Sequence, residues 1–144
     1  MTNGFVGVRM LNCIKSVMKV DSVGNKKWKL PNGDFHREGD LPAIEWTDGS
    51  REWWINGFKH RENNKPAVIL VSWYKAWFLN GKHHRTNGAA IEWSDGSKEW
   101  YLEGVQYSEE EYNEKVKDYK TETALENNSY SQGHKDGHSG LRWL

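Results

Sequence analysis

Between residues 32 and 107 the chain repeats one pattern: NGDFHREGDLPAIEWTDGSREWWI (32–55), NGFKHRENNKPAVILVSWYKAWFL (56–79) and NGKHHRTNGAAIEWSDGSKEWYL (80–102), followed by EGVQY (103–107). Asn32, Asn56, Asn80 and Glu103 mark spacings of 24, 24 and 23 residues. That period belongs to proteins built of small stacked units, each burying its neighbour. Asn32-Gly33, Asn56-Gly57 and Asn80-Gly81 alternate with Asp48-Gly49 and Asp95-Gly96. Such dipeptides are the strongest short hairpin signals, because a type I′ turn needs positive φ at both central residues. The segments between them, PAIEWT and SREWWI for example, have strand length and are rich in β-branched and aromatic residues. The chain therefore reads as mainly β: tandem β-hairpin repeats of about 24 residues in an extended, curved antiparallel sheet.

The flanks read differently. Residues 1–31 supply N-terminal strands or a degenerate repeat, and 32–107 hold the three hairpin repeats. Ser108 to Glu111 form a capping box, with Tyr112, Val116 and Tyr119 at helical spacing, which predicts one C-terminal capping helix over 108–120. An open repeat stack needs such a cover on its last edge. Residues 121–144 are polar and rich in Gly, Ser and Asn, the composition of a flexible tail, in which Leu141, Trp143 and Leu144 are apolar enough to dock back or to form a short linear motif.

At 144 residues the length suits one domain, and 20 basic side chains balance 20 acidic ones. No global field gathers nucleic acid or an anionic membrane. Nine tryptophans among only 36% hydrophobic residues suit a thin, aromatic-rich β core. The single cysteine, Cys13, excludes an internal disulfide and a thiolate zinc site. No apolar run approaches a membrane span, and the N-terminal run lacks the pattern of a signal peptide, so a soluble, cytoplasmic protein is expected.

The recurrent Trp53-x-x-Asn56-Gly57-x-x-His60-Arg61, Trp77-x-x-Asn80-Gly81-x-x-His84-Arg85 and Trp100-x-x-Glu103-Gly104-x-x-Tyr107 resemble the MORN repeat family. The resemblance is to the variant whose units read close to DGxxEWxxNGxxHRxxGPA, found in phage and large-virus proteins. It covers 32–107 and implies single-layer sheets of successive hairpins that act mostly through protein or membrane-lipid contacts, with some bacterial relatives described as antitoxins. The chain departs from the pattern at Ala89, where a loop Pro is usual, and at Ser72-Trp73, where the neighbouring units have Asp-Gly. No basic cluster accompanies the sheet to favour lipid.

Two-residue turns would fix the register. With Asp48-Gly49 as such a turn, Ile44, Trp46, Trp53, Ile55, Phe58 and His60 share a packed face. Glu45, Glu52, Trp54, Lys59 and Arg61 then share a polar one, the two carboxylates side by side with Arg61 beside them to offset their repulsion. His60 and His84 are expected to stack on Trp53 and Trp77. Ile69 and Ala76 replace the paired Glu of the second unit, so Arg85 either bridges to acids of a neighbouring unit or is left to hold a partner's carboxylate or phosphate. Trp54, Phe78 and Tyr101 fall at equivalent positions and would line up as an aromatic row; with arginine nearby that is the composition of a binding hot spot, unless another part of the chain or a second copy covers it. Trp73, at a hairpin tip where neighbours have Gly, is poor turn chemistry and marks a contact.

The enzyme reading is weak. The Glu45/Glu52 and Glu92/Glu99 pairs recur with the repeat and read as salt-bridge rungs, Cys13 has no adjacent His, and no phosphate loop or nucleophile elbow occurs. No cofactor and no metal are assigned, His134 and His138 included. The sequence therefore points to a non-catalytic protein-interaction module, with Trp54, Phe78, Tyr101, Trp73, Arg61, Arg85 and Arg37 as its partner-binding residues. The partner expected is a host or viral protein. The viral resemblance implies inhibition of a host defence factor such as a CRISPR or restriction complex. Two alternatives stand beside it: a binder that sequesters an anionic nucleotide through aromatic stacking and unpaired Arg37 and Arg85, and a self-assembling homo-oligomer joined through the aromatic row.

Overall fold

The computed structural model describes residues 15–133. Strands β1 (Val17–Val20) and β2 (Lys26–Lys29) form an N-terminal hairpin. The first repeat gives β3 (Ile44–Glu45), β4 (Arg51–Glu52), β5 (Trp54–Ile55) and β6 (Phe58–Lys59). The second gives β7 (Val68–Leu70), β8 (Tyr74–Ala76), β9 (Phe78–Leu79) and β10 (Lys82–His83). The third gives β11 (Ile91–Trp93), β12 (Lys98–Leu102) and β13 (Val105–Tyr107), and helix α1 (Glu109–Gly133) follows. Cys13, His134, His138, Leu141, Trp143 and Leu144 lie outside the described residues.

Each repeat is two hairpins in series. The first enters an antiparallel nine-stranded sheet ordered β1-β2-β3-β4-β7-β8-β11-β12-β13, which stays open, as the extended curved sheet requires. The second turns at Asn-Gly or Glu-Gly and stacks on its counterpart in the previous unit. Gly57 N donates to Phe35 O, Gly81 N to Lys59 O and Gly104 N to His83 O, at 2.8–3.0 Å. Asn56 and Gly57 both adopt positive φ (49° and 81°), and Ile55 pairs with Phe58, as a type I′ turn demands.

The Asp-Gly tips depart from expectation, and the departure reassigns the faces. Trp46 N donates to Ser50 O and Gly49 N to Trp46 O, so the loop is three residues, Thr47 to Gly49, not two. Asp48 Oδ1 accepts the Ser50 amide at 2.8 Å; Gly49 alone takes positive φ, the type I turn with a glycine bulge. Asp95-Gly96 repeats this loop, and Asn32-Gly33 does so after Pro31. The extra residue slips the register by one: Ile44 pairs with Glu52 and Glu45 with Arg51, where Trp53 and Glu52 were expected. Glu45 and Glu52 consequently point to opposite faces, as do Glu92 and Glu99. They are not carboxylate pairs.

One face of the large sheet, here the inner face, carries the core: Val68, Ala76 and Ile91 in cross-strand register, with Leu70, Tyr74, Phe78 and Tyr101 packed against them. A second cluster joins Leu102 of β12 to Tyr112 and Val116 of α1, closing the last edge. The capping box is formed: Ser108 Oγ and Glu111 Oε2 lie 3.0 Å apart, and Glu111 Oε2 accepts the Ser108 amide. The helix runs past the expected end at 120 to Gly133, so residues 121–133 are helical and not a flexible tail. Thr121 and Thr123 hydroxyls bond back to the Lys117 and Tyr119 carbonyls. From Lys120 to Asn128 every residue but Thr123 is exposed, which marks this stretch of the helix as solvated. No helix among the described residues is long and apolar enough to cross a membrane.

Candidate interaction surface

Most of the candidate residues are consumed by joints between repeats. Arg37, Arg61 and Arg85 lie flat over Trp28, Trp53 and Trp77, with the guanidinium carbon 3.5–3.7 Å from the ring centroid. Each Nη1 donates to a carbonyl of the loop that follows it, four or five residues on: Pro42, Pro66 and Ala89. The acids then differ. Arg37 pairs with Glu45 at 2.9 Å and Arg85 with Glu92 at 2.7 Å. Arg61, facing Ile69 where the others meet Glu, takes Asp40 at 2.7 Å instead. The unpaired Arg37 and Arg85 of the nucleotide reading are thus both paired, Arg85 by a bridge to a neighbouring unit's acid. Arg61 does not offset a Glu45/Glu52 pair, since those acids lie on opposite faces. With Lys65 it holds the Asp40 carboxyl down at about 2, through direct hydrogen bonds from both cations.

The recurrent histidines hold turns and do not stack on Trp53 and Trp77. His36, His60 and His84 accept, through Nδ1, the first turn amide of the next unit: Asn56, Asn80 and Glu103, at 3.1–3.2 Å. An accepting Nδ1 carries no proton, so the 3.1 Å approach of the Glu103 carboxylate to the same atom of His84 is not an ion pair while the ring is neutral. Burial lowers the His84 pKa, and Glu103 opposes this.

The aromatic row exists, but on the inner face. Trp54, Phe78 and Tyr101 interleave with side chains of the preceding turn's second strand. Phe35 meets Trp54 at 5.4 Å, Lys59 lies 5.3 Å from both Trp54 and Phe78, and His83 sits 4.0 Å from Phe78 and 5.1 Å from Tyr101. Glu52 accepts the indole N–H of Trp46 and of Trp54. Glu99 accepts from Trp93 Nε1 and Tyr101 Oη, both at 2.9 Å. In the second repeat all three positions turn apolar together, as Leu70, Ala76 and Phe78. Burial pushes the His83 pKa down, Lys59 adds to this, and its Nδ1 has no hydrogen-bond partner.

Trp73 is different. It stands where the first and third units have Gly49 and Gly96, is 68% exposed, and makes no side-chain hydrogen bond or ring contact among the described residues. Its backbone has a local cause. Successive tips are tied by a bond from the first loop amide: Val71 N donates to Ser50 Oγ, but Tyr74 replaces the next serine, and Ser94 N takes Trp73 O instead. The positive φ accordingly moves to Ser72. That accounts for the backbone and leaves the indole in solvent. Beside it, Val71 is 45% exposed, and Ile69, Val71 and Trp73 line a groove of about 300 Å³ at this tip, together with Lys75 and Glu92. Sequence reasoning found Trp73 by its turn chemistry; it missed Val71 and Ile69 because the slipped register hid their shared face.

Comparison with protein-family models, with curated proteins and with solved structures finds no match for this chain.

Proposed function

We infer that this chain is a non-catalytic protein-interaction module, a repeat-built sheet that presents the tip of its second unit to another protein. The observation that carries the reading is Trp73: a large indole, mostly in solvent, at a turn position that the same chain twice fills with glycine. Exposed tryptophan is enriched at binding hot spots because it desolvates a large area with few rotatable bonds. The resemblance of the units to MORN-type repeats supports the same class of activity. Of the seven candidate residues, Trp73 is the one whose side chain the internal joints leave free. Native mass spectrometry of the chain, before and after incubation with extract of its natural host cell, tests the reading. The expected result is an adduct of protein mass that Trp73→Gly abolishes. A gain of a few hundred daltons, or no adduct, overturns it.

A further inference from the structure

We propose that the outer face of the second repeat is a docking site for an acidic polypeptide segment that carries apolar side chains between its carboxylates. The inference deepens the interaction-module reading and rests on it.

The three repeats serve as each other's controls. On the outer face the cross-strand register runs Lys26, Glu45, Arg51, Ile69, Lys75, Glu92, Lys98, a ladder of alternating charge with one apolar rung. That rung, Ile69, replaces the glutamate of the first and third units. Val71 replaces Thr47 and Ser94, and Trp73 replaces Gly49 and Gly96. Three changes toward apolar character in one unit gain little inside the fold, since the indole stays 68% and the valine 45% exposed.

The same change upsets the charges around the groove. Glu45 is taken by Arg37 and Lys26, and Glu92 by Arg85. Without an acid at position 69, Arg51 and Lys75 flank the apolar rung, with Lys98 two rungs further on, and none of these three makes an ion pair among the described residues. Each is exposed. The surface is therefore an apolar slot with the unpaired Lys75 and the Arg85-paired Glu92 in its wall, and with unpaired Arg51 on the rung beside Ile69. Its complement is a segment with apolar side chains for the slot and carboxylates for the cations. A groove of about 300 Å³ suits one or two large side chains. A nucleic acid strand fits less well, because Glu45 and Glu92 interrupt the cations where a phosphate track would run, and Trp73 is a single stacking plane beside the aliphatic Ile69 and Val71.

Selection of a random dodecapeptide library on the immobilised full chain tests this. Two variants serve as comparators. Ile69→Glu/Val71→Thr/Ser72→Asp/Trp73→Gly gives the second tip the loop of the first, and Arg51→Glu/Lys75→Glu reverses the border without touching the tip. The expected pool is rich in Asp and Glu with Leu, Phe or Trp, and its members bind each variant at least about tenfold more weakly. Acidic peptides that bind all three chains equally overturn the site but leave the interaction module standing. A neutral or basic pool overturns the partner chemistry, and no enrichment on any chain overturns both readings. Oligothymidylate binding that the tip variant abolishes assigns the face to nucleic acid, and a dimer that it abolishes in sedimentation assigns it to a second copy; either result overturns the proposal.

Discussion

Glu52 is a half-buried carboxylate satisfied by two indoles, and the second repeat shows what the position becomes without it: Leu70, Ala76 and Phe78 replace donor, acceptor and donor at once. The physical rule is that a buried acceptor stripped of its donors costs more than the bonds gave, whereas removing both sides together is nearly neutral. Trp46→Leu/Trp54→Phe, which leaves Glu52 with Lys59 alone at 3.5 Å, is expected to lower stability by about 1–3 kcal/mol in urea unfolding. Adding Glu52→Ala recovers most of that loss. A triple variant less stable than the double would show that the carboxylate is held by something other than its aromatic donors.

At the scale of the element, what was legible in the sequence was what a single local rule decides. Asn56-Gly57 and Asn80-Gly81 announce type I′ turns and form them; Ser108 and Glu111 announce a helix start and make it. Asp-Gly is ambiguous between two-residue and three-residue loops. The deciding contact, Asp48 Oδ1 with the Ser50 amide, lies one residue beyond the dipeptide. One misplaced residue moved Trp54, Phe78 and Tyr101 to the wrong face, and with them most of the expected site. The arginines carry no such local signal, since their acids sit 7 to 21 positions away on other segments of the chain. The helix divides likewise into a docked start and a solvated remainder. Tyr112, 3% exposed, donates from its hydroxyl to Arg85 O at 2.7 Å; Leu125 is 64% exposed. Tyr112→Ala is expected to cost about 3 kcal/mol or more in thermal or urea unfolding, and Leu125→Ala less than about 0.5 kcal/mol. Equal effects would place the cap elsewhere on the helix.

Across the whole molecule, stability is carried by joints, since each unit contributes a turn that the unit before it holds. His84 stands at one of these joints and His83 inside the aromatic column, and these two make the stack sensitive to acid. For His83 and His84 the folded state lowers the pKa from the ordinary 6.5, chiefly by burial. The charged groups beside them act in both directions: Lys59 lowers and Glu99 raises at His83, while Glu103 raises at His84. With folded values depressed, the unfolded chain binds more protons once the pH drops below about 6.5, so stability is full above that value and falls as the solution is acidified. Protonation of His84 Nδ1 also removes the acceptor of the Glu103 turn amide. Asp40, held at about 2, loses its contribution only below its ordinary 3.8, so the two windows are separate. The urea midpoint is therefore expected to be lower at about pH 5.5 than at about pH 7.5. In His83→Phe/His84→Gln, whose ring at 83 cannot charge and whose amide oxygen at 84 can still accept the turn, that difference shrinks. A midpoint that does not move between the two pH values, or a slope that the double variant leaves unchanged, would place the acid sensitivity of the stack outside these two joints.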